Sequence, residues 1–146
     1  MNDQPKAASF LKRLGAMLYD FMLVLSFVIV VGFFSMVIVM SLFSIDNVEA
    51  GGITAKLFFP YLVLLSFGFY GWFWTHGGQT LGMRAWKLKL INHQGHTVSW
   101  TQAFFRYCYA VISWLPLGAG YFWMLFDKKK RTLHDRASRS YIVDLK

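Results

Sequence analysis

Arg13 and Asp20 stand two helical turns apart at the head of a long apolar run. A carboxylate entering a bilayer is costly, so this pair is where the chain is best placed to do chemistry. Positions 6, 9, 13, 16 and 20 follow helical 3–4 spacing. They set Lys6, Ser9, Arg13, Ala16 and Asp20 on one stripe and Phe10, Leu14, Met17 and Phe21 on the opposing face. Arg13 and Asp20 then share a face about 10 Å apart along the axis, suited to bracketing a third group rather than to a direct bond. Arg106, just inside a later apolar stretch, is the available partner for Asp20. Two readings follow. One is a static charge pair that locks the two segments together, with Arg13 snorkelling to headgroups. The other is an ion or proton path through the Asp20 carboxylate.

No other constellation competes with this one. The run Gly77-Gly78-Gln79-Thr80-Leu81-Gly82 lacks the Gly-Lys-Ser/Thr ending of a phosphate-cradling loop and reads as a flexible elbow. His93 and His96 flank a turn without a third ligand nearby, so no metal site is expected. Cys108 is the single cysteine, which excludes an intramolecular disulfide and a multi-cysteine zinc site. No nucleophile stands with a base and an orienting group, so the expectation is a non-enzyme without catalytic residues or cofactors.

These residues must be positioned by membrane elements. Hydrophobic residues make up 56% of the chain and aromatics 19%, above the usual soluble balance. The excess lies in three stretches, residues 14–43, 57–74 and 103–126. The first would be about 45 Å long as a helix, against a hydrocarbon core of roughly 30 Å. It far exceeds a signal-peptide apolar core and no small-residue cleavage motif follows it, so it reads as a retained span. Pro60 reads as a helix start, and Tyr70, Trp72 and Trp74 as an interfacial aromatic belt.

The net charge of +8 is read loop by loop. Residues 1–13 carry Lys6, Lys12 and Arg13. The loop over residues 44–56 carries Lys56 against Asp46 and Glu49. Residues 75–102 carry Arg84, Lys87 and Lys89, and the tail, residues 127–146, carries the run Lys128–Arg131 with Arg136, Arg139 and Lys146. By the positive-inside rule both termini and the 75–102 loop are cytoplasmic and the 44–56 loop external. The basic tail then serves as an anchor touching anionic lipid headgroups, and nucleic acid is not needed as a partner.

Three plain crossings would place the basic tail outside. Pro116-Leu117-Gly118-Ala119-Gly120 breaks the third stretch into limbs about half a bilayer long. The expectation is a re-entrant or interfacial helical hairpin, with one kinked crossing helix as the alternative. On the cytoplasmic side, Trp86-Lys87-Leu88-Lys89-Leu90 alternates as a strand, 96–99 can return as a second, and Tyr141-Ile142-Val143 with Leu145 supplies a third. Ser99-x-x-Gln102 and Thr132-x-x-Asp135 fit capping boxes at helix starts. The fold class is therefore a mainly α-helical membrane protein, a single domain over residues 1–146. It has two transmembrane helices, a Pro/Gly-broken hairpin and a small cytoplasmic antiparallel sheet.

The order of these motifs resembles the RDD family of small bacterial membrane proteins, named for an arginine and two aspartates. Phe10-Leu11-Lys12-Arg13-Leu14-Gly15-Ala16-Met17-Leu18-Tyr19-Asp20 is similar to its N-terminal signature. Gly78-Gln79-Thr80-Leu81-Gly82-Met83-Arg84 is similar to its central motif, and Asp127-Lys128-Lys129-Lys130-Arg131-Thr132-Leu133-His134-Asp135 to its closing one. The resemblance maps the naming residues to Arg13, Asp20 and Asp135. Leu81 stands where proline is common and Met83 where lysine is common, with Arg84 as a partial substitute for that ammonium. It implies an inner-membrane location and a transport role, including cation/proton exchange for some members.

Two functions of different class remain open. In a transporter, Asp20 takes a proton or cation, Arg13 or Arg106 competes for the carboxylate, and Asp135 completes the entrance. Two spans are too few for an ordinary transporter, so that version requires a homo-oligomer, with Gly32, Ser35, Gly68 and Gly71 allowing close helix contact. In a non-catalytic adaptor or assembly factor, the charges are structural, and the sheet and tail hold a membrane-protein partner or anionic lipid.

Overall fold

The structure, a computed structural model, describes residues 7–45, 47–49, 51–114, 119–127 and 131–145. It is mainly helical. Two helices, α1 (Phe10–Phe43) and α2 (Ile53–His76), are long and apolar enough to cross a membrane. The contacts divide the chain into two units, residues 21–69 and residues 1–20 with 70–146.

In the first unit α1 and α2 meet through Phe27 and Phe69, with ring centroids 5.3 Å apart. A hydroxyl contact of 2.6 Å joins Ser35 to Tyr61. Ile29, Val30, Phe33, Phe34, Ile38 and Leu64 are exposed, as suits side chains facing lipid rather than water. The α1 helix ends where Ser44 turns left-handed (φ 50°) and the Ile45 N–H returns to the Met40 carbonyl at 3.0 Å, a Schellman-type stop. Pro60 is not the helix start expected from sequence. The α2 helix begins at Ile53, and the proline lies inside it.

The second unit holds everything else. After α2, Gly78 turns at φ 69°, and its carbonyl accepts from Leu90 N–H at 2.6 Å. A Cβ there would sit 2.6 Å from the Leu90 carbonyl oxygen, so only glycine fits. The expected elbow is present, pinned at this point and by Gln79 donating to the Leu88 carbonyl at 2.7 Å. Then come α3 (Leu81–Ala85) and β1 (Leu88–Asn92), followed by α4 (Trp100–Trp114), α5 (Ala119–Phe122) and a 3-10 turn (Trp123–Leu125). The last elements are α6 (Leu133–Ala137) and β2 (Ser140–Asp144). The core is built by Ala8, Ala16, Trp74, Met83, Leu88, Leu90, Val98, Ala103 and Ile142.

The sheet has two strands, β1 antiparallel to β2, with Leu90 opposite Ile142. Residues 96–99 do not form the second strand read from sequence. Asn92 Oδ1 instead accepts from Gln94 N–H (2.9 Å) and His96 N–H (3.0 Å), closing an Asx turn that draws the chain out of the ladder. The tail strand is the direct partner of β1. Trp86 lies before the strand as the cap of α3, and Lys87 adopts φ 52°. Ala7 bridges Val143 on the far side of β2.

Two pieces of this unit are built alike. Thr80 and Thr132 each cap a five-residue helix, with φ/ψ of −74°/172° and −78°/169°. Each helix is followed by a left-handed cation, Lys87 (φ 52°) or Arg139 (φ 50°), and then by a five-residue strand of the same burial pattern.

The third apolar stretch is not one helix among the described residues. The α4 helix has 15 residues, about 22 Å and short of a bilayer. Ala103, Arg106 and Ser113 face inward, whereas Phe104, Phe105, Tyr109, Val111 and Ile112 are exposed. An outward face this apolar suits lipid. The predicted break at Pro116-Leu117-Gly118 lies outside the described residues, as do Lys6 and Lys128–Lys130. The Ser99–Gln102 capping box is formed, with Ser99 N–H to Gln102 Oε1 at 3.0 Å and Gln102 N–H to Ser99 Oγ at 3.3 Å.

Candidate functional site

The spacing puts Arg13, Ala16 and Asp20 on one face, and the structure turns that face inward: all three are buried, whereas Ser9 of the same stripe is exposed. Their partners differ from the sequence reading. Arg106 does not meet Asp20. It donates to Asp135 Oδ1 at 2.5 Å and Ser140 Oγ at 3.0 Å, and its guanidinium lies 5.4 Å from the centroid of the Trp74 ring. Arg13 reaches the other oxygen of the same carboxylate, Asp135 Oδ2, at 2.7 Å, and donates to the Ile142 carbonyl at 3.2 Å. Both arginines thus converge on the fully buried Asp135. The physical reason is that Asp135 offers two oxygens in a dry site, where a lone carboxylate would be intolerable and two cations are the stronger claim.

Asp135 is presented by its own helix start. Thr132 N–H donates to Asp135 Oδ2 at 3.1 Å while Asp135 N–H donates to Thr132 Oγ1 at 3.3 Å, which is the predicted capping box with its acid turned inward. Burial alone would raise this carboxyl, but Arg106 and Arg13 outweigh it and hold Asp135 well below the usual carboxylate range. His134 beside it is buried against Tyr121, with ring centroids 4.8 Å apart. Desolvation, with the Arg106 and Arg13 charges, pushes its imidazole down to about 3, so it is neutral.

Asp20 is held by neutral donors. Thr80 Oγ1 donates to Asp20 Oδ2, and Gly82 N–H donates to Oδ1 at 2.8 Å. Among the described residues no cation pairs with it. Thr80 accepts in turn from Met83 N–H at 3.2 Å, so the carboxylate docks the capped start of α3 against α1. Gly82 is required here, because a Cβ would overlap the Ala16 carbonyl oxygen and crowd the Asp20 carboxyl at 2.8 Å.

The structure therefore gathers Arg13, Arg106 and Asp135 into one cluster and Asp20, Thr80 and Gly82 into another. Gly78 serves the elbow. Arg84 is exposed and joins neither set; it lines a shallow cleft of about 280 Å³ with Trp72, Phe73, His76, Gly77 and Gln79. It does not stand in for a buried ammonium. The Lys12–Asp144 contact at 2.6 Å ties α1 to β2 at the surface. Sequence reasoning gave Trp74 to an interfacial belt, whereas it is a buried core residue beside Arg106; it missed Ser140 and the Ile142 carbonyl, gave His134 no role of its own, and passed over Thr80 as a ligand of Asp20. One signal was available: Thr-Leu-x-x-Arg-Ala occurs at both 80–85 and 132–137.

Three of the segments that meet here are those read as family motifs, and α4 adds Arg106 from outside them. A profile of the RDD family matches residues 7–139, most of the chain. The chain belongs to the RDD family. Comparison with curated proteins and with solved structures gives no match. Of the three residues to which the resemblance maps the family's name, Arg13 and Asp135 are bonded to each other, whereas Asp20 binds Thr80 and Gly82.

Proposed function

We propose that this RDD protein is a small, non-enzymatic transporter of the bacterial inner membrane that exchanges a cation for a proton as a homo-oligomer, with Asp20 as the carrier. The observation that carries the reading is the contrast between its two buried aspartates. Asp135 is paired with two arginines, whereas among the described residues Asp20 is held by a hydroxyl and a backbone N–H. A buried carboxylate with neutral partners keeps its charge available for a proton or cation. The Arg13–Asp135–Arg106 set braces the site and does not compete for Asp20.

The positive-inside rule supports a cytoplasmic face for the capped modules. Lys12, Arg84, Lys87, Lys89, Arg131, Arg136 and Arg139 all belong to that unit, and Glu49 belongs to the connection between the spans. On this reading α4 and α5, each too short to cross, form the re-entrant or interfacial hairpin that returns the chain, and the basic tail touches anionic headgroups. A reporter fused after residue 146 should be active only on the cytoplasmic side; an external signal overturns the orientation.

The functional test is flux in liposomes. Wild-type protein should move cations against protons and Asp20→Asn should abolish it, because the amide keeps the shape and loses the charge. Equal flux in both sinks the reading. The adaptor reading is favoured by one specific feature, the anchoring of α3 by Asp20. On that version Asp20→Asn lowers abundance or assembly with no flux to lose, and a membrane-protein partner copurifies in mild detergent.

A further inference from the structure

We infer that the chain is an internal duplication about a local two-fold axis. Residues 8–20 with 80–92 form one copy and residues 98–110 with 132–144 the other, and Arg13, Arg106 and Asp135 are the charged counterpart of Ala103, Ala16 and Met83.

The capped modules give the first ground. Besides Thr-Leu-x-x-Arg-Ala, both threonines accept from the N–H three residues on, Met83 at 3.2 Å and Asp135 at 3.3 Å. Both C-caps, Trp86 and Ser138, return their N–H to the equivalent carbonyls, Arg84 with Gly82 and Arg136 with His134. A left-handed non-glycine residue is uncommon. The described residues hold Ser44, Lys87 and Arg139, and two of these occupy the same place in the two modules.

The strand register gives the second. Matching the modules residue by residue makes Leu90 the counterpart of Ile142, and these two are paired. Leu88 pairs with Asp144 and Asn92 with Ser140, so each strand meets the other in a self-complementary register. That is the signature of an isologous contact, in which residue i meets j and the equivalent of j meets the equivalent of i.

The helix starts give the third. Ser9 and Ser99 each accept from the N–H three residues on, Lys12 at 3.5 Å and Gln102 at 3.3 Å, and each follows a buried core residue, Ala8 or Val98. The chain before each start flanks the strand of the opposite copy. Ala8 N–H donates to Ile142, and the His96 carbonyl accepts from Asn92.

Carrying the match into the core maps the cluster of Asp135, Arg13 and Arg106 onto Met83, Ala103 and Ala16. Those three are all buried members of the hydrophobic core. One side of the scaffold is therefore built with charge and the other without it, which makes the triad a structural device that tells the two halves apart. The same match sets Ala110 against Asp20 and His134 against Gly82. The Asp20 carboxylate thus has no counterpart in the second half, and a duplicated chain carries one such group rather than two.

The test is thermal melting of the full chain in mild detergent, and it does not depend on the transport reading. Three variants are compared: Asp135→Met alone; a matched triple, Asp135→Met with Arg13→Ala and Arg106→Ala; and a permuted triple of identical composition, Arg13→Met with Arg106→Ala and Asp135→Ala. The matched triple should melt about 5 °C or more above both others, since it removes the stranded cations and sets methionine where the other half has it. A permuted triple that melts as high, or a matched triple no better than Asp135→Met, overturns the duplication.

Discussion

Replacing Asp135 by asparagine should be the most damaging single isosteric change in the chain. The side chain is completely buried and accepts from Arg13 at 2.7 Å, Arg106 at 2.5 Å and Thr132 N–H at 3.1 Å. Asparagine keeps the size and one acceptor oxygen but leaves two guanidinium groups in a dry site with no acid. Removing one partner of a buried pair costs about 3–5 kcal/mol, a large part of the roughly 5–15 kcal/mol by which a domain is stable. At about 4–8 °C per kcal/mol for a unit of this size, the melting temperature in mild detergent should fall by more than about 10 °C. Adding Arg106→Gln to Asp135→Asn should recover part of the loss, because one stranded cation is then gone and the two effects are not additive. A fall worth under about 1 kcal/mol would refute the reasoning, since only a solvated pair behaves that way.

Other consequences can be checked alongside. Gly82→Ala forces a methyl onto the Ala16 carbonyl and the Asp20 carboxyl, and should cost about 1–3 kcal/mol in the same melt; an unchanged melt would mean α3 does not seat against α1. Acid should weaken the fold in two windows. His134, neutral when folded with its pKa pushed down to about 3, favours proton uptake by the unfolded chain as pH falls below its ordinary 6.5. Stability should therefore drop by up to about 2 kcal/mol between pH 7 and pH 5, at about 1.4 kcal/mol per unit below 6.5. Asp135, whose folded pKa is depressed, adds a second loss below its ordinary 3.8. His134→Gln should flatten the first window and leave the second; an unchanged slope between pH 7 and 5 would discount the buried imidazole.

Much of the framework was legible in order. The shared face of Arg13, Ala16 and Asp20 follows from helical spacing, and both capping boxes follow from a residue pair three apart. Those are local rules, decided within a turn or two of chain. The strand over Tyr141–Val143 was legible as well, but its pairing with β1 in place of residues 96–99 was not. Alternation shows that a strand has a buried face, not which neighbour it chooses; the Asx turn at Asn92 decided that.

By itself, then, the sequence determined two long apolar helices and one shared face for Arg13, Ala16 and Asp20 on the first of them. Hydropathy and periodicity are properties of consecutive residues, so they survive without coordinates. The partnership of the charges was decided only by the tertiary structure. Asp20 and Arg106 looked complementary as types, yet Arg106 and Arg13 both fall on Asp135, and Asp20 is left to Thr80 and Gly82. A buried ion pair is fixed by which groups the packed core brings within about 3 Å after desolvation, and sequence spacing carries no information about that distance.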